Sequence, residues 1–139
     1  ICLQYGIESG GTASPTIRVQ PNEKIIAFTT RLYTICFGRK PDDAGLKAWS
    51  EALANREGTG AQVAYGFFFS TEFTSKNYNN KDYVTRLYRV FMDREPDAGG
   101  FNAWVSALDG GASREQVFYG FANSPEFINL CGDAGIRIK

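Results

Sequence analysis

The amino-acid sequence predicts an all-α fold built from two pseudo-symmetric helical repeats, each of about three to four helices, sharing one core. Three observations carry this reading: a dense internal repeat, apolar residues spaced three and four apart, and capping residues at matching places in both copies. Arg31 to Trp49 reads RLYTICFGRKPDDAGLKAW, and 55 positions later Arg86 to Trp104 reads RLYRVFMDREPDAGGFNAW. The match continues at an offset of 54. Gln62-Val63 and Tyr65-Gly66-Phe67 answer to Gln116-Val117 and Tyr119-Gly120-Phe121, and Ser70-x-Glu72-Phe73 answers to Ser124-x-Glu126-Phe127. Self-similarity of this density is a signature of repeated structural units that bury their apolar faces against each other.

The first 21 residues read as the tail of a preceding copy followed by a linker. Ile1-Cys2-Leu3-Gln4-Tyr5-Gly6-Ile7 resembles Leu130-Cys131-Gly132-Asp133-Ala134-Gly135-Ile136, as expected in a tandem array. Ser9 to Pro15 has turn and linker chemistry. Thr16-Ile17-Arg18-Val19-Gln20 alternates apolar and polar residues, as does Gly135-Ile136-Arg137-Ile138-Lys139, so the two are expected to pair as a small β-ribbon.

The helical domain is expected over 22–139, with repeat one at 22–78, repeat two at 79–131 and a short strand at 135–139. In repeat one Ile25, Phe28, Leu32 and Ile35 fall on one helical face, and in repeat two Val84, Leu87, Tyr88 and Phe91 do the same. Pro41 and Pro96 disfavour helix at the residues before them, and Asp42 and Asp97 are placed to cap the next helix. That second helix carries Leu46, Trp49 and Leu53, or Phe101, Trp104 and Leu108. The third starts behind Thr59-Gly60-Ala61-Gln62 or Ser113-Arg114-Glu115-Gln116, both of capping-box form. Gly66 and Gly120 lie inside it, where glycine costs about 1 kcal/mol relative to Ala, so another helix backbone is expected to approach there. Ser70 and Ser124 are caps of a short fourth helix, with Glu72 and Glu126 in its first turn.

Composition excludes several functions. Lys plus Arg and Asp plus Glu both number 15, so the chain has no basic footprint for nucleic acid, and no apolar run approaches the length of a membrane span. The absence of histidine removes the usual general base and the commonest metal ligand. Glu51, Glu57, Glu72, Glu115 and Glu126 offer carboxylates for glycoside hydrolysis, but Glu72 and Glu126 recur as a pair of caps. Asp93 to Trp104 departs from a calcium loop at its sixth and twelfth positions, Ala98 and Trp104. No enzyme, metal or cofactor is therefore expected. Arg39 and Arg94 are expected to pair with Asp42 and Asp97, or with loop carbonyls, and to rigidify the loop.

The aromatic content of 14% is high. Trp49 and Trp104 sit on apolar helical stripes and are expected to be buried in equivalent places. Phe67, Phe68 and Phe69 are consecutive, so one helical face cannot bury all three. Phe68, Phe69, Tyr78 and Tyr83 are the candidate ligand-binding residues. Cys2, Cys36 and Cys131 leave three arrangements open: free buried thiols, a Cys36–Cys131 bridge, or a Cys2–Cys131 bridge.

The Arg-Leu-Tyr helix, the Gly-Arg-x-Pro-Asp-x-x-Gly-Leu-x-x-Trp stretch and the closing Ser-x-Glu-Phe together resemble the bacterial domain-of-unknown-function family 4214, over roughly residues 26–131. The helix–loop–helix with Arg-x-Pro-Asp is also distantly similar to phycobilisome linker domains, which are protein-binding scaffolds. The resemblance implies a module of secreted or surface bacterial proteins, beside carbohydrate-active or adhesive domains. It also implies a Cys36–Cys131 disulfide, because similar members carry Cys at both places. The second copy departs from the pattern where Gly38 becomes Asp93 and Ala44 becomes Gly99. The expected function is a non-catalytic extracellular binding module that takes a polysaccharide or glycan. The alternative is a structural spacer contacting neighbouring domains of its parent protein.

Overall fold

A computed structural model describes residues 19–139, and every described element is helical. Helix α1 (Glu23–Arg31) runs into a π-helical stretch, Leu32–Phe37, and is followed by α2 (Asp43–Ala54), α3 (Gly60–Phe68) and the single-turn α4 (Thr71–Thr74). The second half repeats the order. Helix α5 (Asn80–Leu87) runs into a π-helical stretch, Tyr88–Met92, followed by α6 (Ala98–Asp109), α7 (Arg114–Ala122) and α8 (Pro125–Ala134).

Local sequence sets these boundaries. The Asn22 side chain accepts from Ile25 N at 2.9 Å to start α1, and Asp42 and Asp97 accept from Gly45 N and Gly100 N, each at 2.8 Å. Both capping boxes form: Thr59 N donates to Gln62 Oε1 at 2.9 Å, and Ser113 N donates to Gln116 Oε1 at 2.8 Å. Ser70 and Ser124 cap α4 and α8. The π-helical stretches end at Gly38 (φ 67°) and Asp93 (φ 52°), both left-handed. Glycine is free to adopt that conformation and Asp is among the few other residues that tolerate it.

The π-helical turn corrects the expected face of the first helix. Each π turn takes i→i+5 hydrogen bonds and inserts extra arc, and the residue that follows Leu32 and Tyr33 into the core is Cys36, not Ile35. Ile25, Phe28 and Leu32 are buried as expected, while Ile35 is only partly so. In the second half Val84, Leu87, Tyr88 and Phe91 are all buried, joined by Val90.

One core serves both halves. Phe68 of the first half stacks on Phe91 of the second at 6.0 Å and meets Phe118 edge-on at 5.8 Å, and Phe28 lies 5.8 Å from Phe127. Helix α3 packs on α7, and the two π-helical stretches pack on each other. Self-pairings of this kind are what an approximate twofold between equivalent units requires. The three consecutive phenylalanines divide as helical geometry demands. Phe67 turns inward against Tyr33 and Phe37, Phe68 turns toward the other half, and Phe69 remains partly exposed against Tyr65.

Three further expectations fail. Trp49 is 36% exposed and Trp104 is half-buried, so neither is a core residue. Helices α2 and α6 bury the expected Leu53 and Leu108, but beside them bury Ser50 and Val105 and not the indoles. The indoles instead brace α2 on α3 and α6 on α7. What approaches Gly66 and Gly120 is therefore an indole edge and not a helix backbone. A Cβ at Gly66 would lie 3.5 Å from Trp49 Cη2, and one at Gly120 would lie 2.6 Å from Trp104 Cη2. The ribbon of the termini also fails on its C-terminal side. Gly135–Lys139 forms no strand; Ile136 is buried, and Arg137 O accepts from Gly60 N at 3.0 Å. An amide left free at the start of α3 is a better partner for the tail than an isolated two-stranded ribbon, which is marginal in water. Residues 16–18, and Cys2 with the rest of the opening tail, lie outside the described residues.

Candidate functional site

The repeated motif builds two copies of one clamp. In the first, the Arg39 guanidinium forks onto Glu72, Nε to Oε2 at 2.9 Å and Nη2 to Oε1 at 3.1 Å, while Nη1 reaches Asp42 at 3.5 Å and Lys40 O at 3.3 Å. In the second, Arg94 forks onto Glu126 at 3.1 and 2.8 Å and reaches Asp97 at 3.2 Å and Glu95 O at 3.2 Å. Each guanidinium also lies 5.3 Å from a tyrosine ring centre, Tyr33 or Tyr88. The Tyr33 and Tyr88 hydroxyls occupy the space that a side chain at Gly45 or Gly100 would need. The Arg hydrogen bonds hold the Glu72 and Glu126 carboxyls below the usual carboxylate range. Asp42 and Asp97 are lowered too, first by the amides of Gly45 and Gly100 that they cap. Every charged group of the clamp has a partner and the arrangement occurs twice, so the clamp ties the loop before α2 or α6 to α4 or α8.

The cavity that departs from the repeat lies between α3, α4, α5 and α7. It has a volume of about 310 Å³ and is lined by Phe68, Phe69, Phe73, Thr74, Asn77, Tyr78, Tyr83 and Arg114. All four sequence-derived ligand candidates therefore meet at one place. Phe68 and Tyr83 form its fully buried floor, whereas Phe69 and Tyr78 are partly exposed. Each of these two rings has one face engaged by the fold: Phe69 stacks on Tyr65 at 4.3 Å, and the Arg86 guanidinium lies 3.6 Å from the Tyr78 ring centre. The Tyr83 hydroxyl donates to Arg114 O at 3.0 Å, and burial pushes its pKa up. Arg114 Nη2 donates to Tyr78 O at 2.6 Å and to Asn80 Oδ1 at 3.2 Å, with its guanidinium 4.7 Å from the Tyr83 ring centre.

The equivalent place in the other half is filled. Gly60 stands where the second half has Arg114, and Ala122, Asn123 and Phe28 stand where the cavity has Phe68, Phe69 and Tyr83. Ile136 occupies the space beside Gly60; a Cβ there would meet Phe127 Cζ at 2.9 Å, Cys131 Sγ at 3.1 Å and Ile136 Cγ2 at 3.2 Å. The cavity is thus the seat that in the other half is closed by the chain's own tail. Thr74, Asn77 and Arg114 were not singled out from the sequence as ligand contacts. The signal for Arg114 was present as a Gly-to-Arg difference inside an otherwise matched capping box.

The Cys36–Cys131 disulfide is not formed, and both are free buried thiols. The two thiols have different surroundings: the charge of Arg86 acts on Cys36, whereas Cys131 lies beside Gly60 and is acted on by Arg31. Burial pushes both thiols up, Cys131 to about 12. Among the described residues no cluster of His, Cys, Asp and Glu is placed to hold a metal ion, and no helix is long and apolar enough to cross a membrane.

A family model described as a domain of unknown function (DUF4214) matches the chain twice, at residues 20–77 and 64–131. The chain belongs to this family. The two matches overlap over 64–77, which takes in the end of α3, all of α4 and the loop after it. No curated protein and no solved structure matches.

Proposed function

We propose that this DUF4214 chain is a non-catalytic binding module of a secreted or surface bacterial protein and that its ligand is carbohydrate. The observation that supports this reading is the aromatic cavity of Phe68, Phe69, Tyr78 and Tyr83, open in one half and closed in the other. Aromatic walls with a few polar groups at the rim form a common small-molecule site. Ring faces suit the C–H surfaces of sugars, while Thr74, Asn77 and Arg114 supply hydrogen bonds. The Glu72 and Glu126 carboxylates are held by Arg39 and Arg94 and the sequence contains no histidine, which supports binding over turnover. Affinity gel electrophoresis against plant, host and bacterial polysaccharides tests the reading, with Tyr78→Ala as the site variant. Retardation by at least one polymer, lost in the variant, is the expected result; no retardation by any of them refutes it.

A structural role against a neighbouring domain is the second reading, and it has its own observation. Across the α3–α7 contact, Tyr119 and Ile138 are each about two-fifths exposed (41% and 43%) and line a shallow groove with Tyr65. Such a role predicts that Tyr119→Lys releases the neighbouring domain of the parent protein in a pull-down and leaves polysaccharide binding unchanged.

A further inference from the structure

Resting on the carbohydrate reading, we infer that the cavity selects an acidic sugar, a uronate residue whose carboxylate is met by Arg114. Four half-buried or clamped arginines have carboxylate partners, Arg39 with Glu72, Arg94 with Glu126, Arg89 with Glu95 and Arg31 with Asp93, whereas Arg86 and Arg137 bond to backbone carbonyls. Arg114 has none among the described residues. Its two hydrogen bonds run to neutral acceptors, the Tyr78 carbonyl and the Asn80 amide oxygen, and both use Nη2. Those bonds and the Tyr83 ring hold the guanidinium at the cavity wall, while its positive charge is left unmatched.

An uncompensated guanidinium with its geometry already set is a carboxylate receptor. It offers a planar fork of donors, and little side-chain entropy remains to be lost on binding. Arg86 adds to the same sign of field. Its guanidinium lies on the Tyr78 ring, and Nη1 donates to the Asp82 carbonyl at 3.1 Å. Asp109, which reaches the same network, is engaged by Asn80 Nδ2 at 2.8 Å. At about 310 Å³ the cavity sits at the lower end of ligand sites, roughly 300–1,000 Å³, which suits one sugar ring and not a docked helix. In the first half Gly60 replaces Arg114 and Ile136 fills the space, so charge and room for a ligand are lost together.

The test compares the whole chain's retardation in gels of polygalacturonate, alginate, carboxyl-reduced polygalacturonate and a neutral glucan, each over a salt series. Retention by the uronate polymers, falling about tenfold on carboxyl reduction and again as salt rises, is expected for a charge-assisted contact. Arg114→Gln should cause a similar loss on uronates and no change on neutral polymer. Carboxyl reduction tests the ligand without altering the protein, so a misfolded variant does not spoil the result. Equal retention by acidic and neutral polymers overturns the acidic-sugar inference and leaves carbohydrate binding standing. Equal retention by poly-glutamate and polygalacturonate overturns sugar selectivity in favour of an acidic peptide. Retention by none of the gels overturns both the inference and the reading beneath it.

Discussion

The two indole–glycine contacts make a matched pair whose members should respond oppositely to one added methyl group. At Gly66 a new Cβ would stand 3.5 Å from Trp49 Cη2, an ordinary van der Waals distance. Gly66→Ala should therefore keep the helix-propensity gain of an interior Gly→Ala change, up to about 1 kcal/mol of stabilisation. At Gly120 the new Cβ would stand 2.6 Å from Trp104 Cη2 and 3.0 Å from Cζ3. The first is about 1 Å inside the optimal carbon–carbon separation. The Trp104 ring also lies 5.0 Å from the buried Phe121, so it cannot retreat inward without strain. Overpacking of this kind costs roughly 1–3 kcal/mol. Set against the same gain of about 1 kcal/mol, Gly120→Ala should destabilise by about 1 kcal/mol. The two variants should thus differ by about 2 kcal/mol in urea unfolding at constant m-value, followed by far-UV circular dichroism. Trp104→Phe removes the outer ring, and in that background Gly120→Ala should become stabilising. Equal stabilisation by both alanines, or no rescue by Trp104→Phe, would refute the account of these glycines.

Four other outcomes follow from the same contacts. Glu72 and Glu126 have folded pKa values below their unfolded ones, so their contribution is present above the unfolded carboxylate value of about 4.3 and is lost as pH falls through the depressed folded values. A melting-temperature series from neutral pH into acid should show this loss, and Arg39→Gln with Arg94→Gln should flatten that limb. Cys36 and Cys131 should resist alkylation in the native protein and react on unfolding, read by peptide mapping, and reductant should leave the melting temperature unchanged. Ile136→Ala should cost about 2–5 kcal/mol in denaturant unfolding, because the side chain is buried in the seat beside Gly60. Gly60→Ala should destabilise by roughly 1–3 kcal/mol through the contacts with Phe127, Cys131 and Ile136, and the loss should shrink when Ile136 is Ala.

The fold was legible from the sequence wherever the governing interaction was local. Caps at Asp42, Thr59, Ser70, Asp97, Ser113 and Ser124 all depend on a residue three positions away, and all form. What could not be read depended on partners far along the chain. Apolar spacing marks Trp49 as facing inward, but only the packing of α2 outside α3 shows that this face is a groove and not the core. The pairing of Arg39 with Glu72 spans 33 residues, so Asp42, three away, appeared to be its natural partner. Cys36 and Cys131 each close a helix in the sequence reading, yet both are buried as free thiols, Cys36 inside the π-helical stretch.

The candidate site divides along the same line, for a reason that concerns repeats in general. Where two copies keep the same residue, the shared scaffold suffices to explain it: Arg39 with Arg94, Glu72 with Glu126 and Gly66 with Gly120 each make one contact twice. A ligand that binds once must therefore be held by residues the copies do not share. Phe68, Phe69, Tyr83 and Arg114 answer to Ala122, Asn123, Phe28 and Gly60. These differences remove bulk from one seat, so that Ile136 can fill it, and place aromatic rings and a positive charge in the other. Restoring the symmetry is then a test of the argument. Arg114→Gly with Phe69→Asn should abolish binding and leave both clamps intact, whereas substitutions confined to the clamps should change stability and leave the ligand preference where it was.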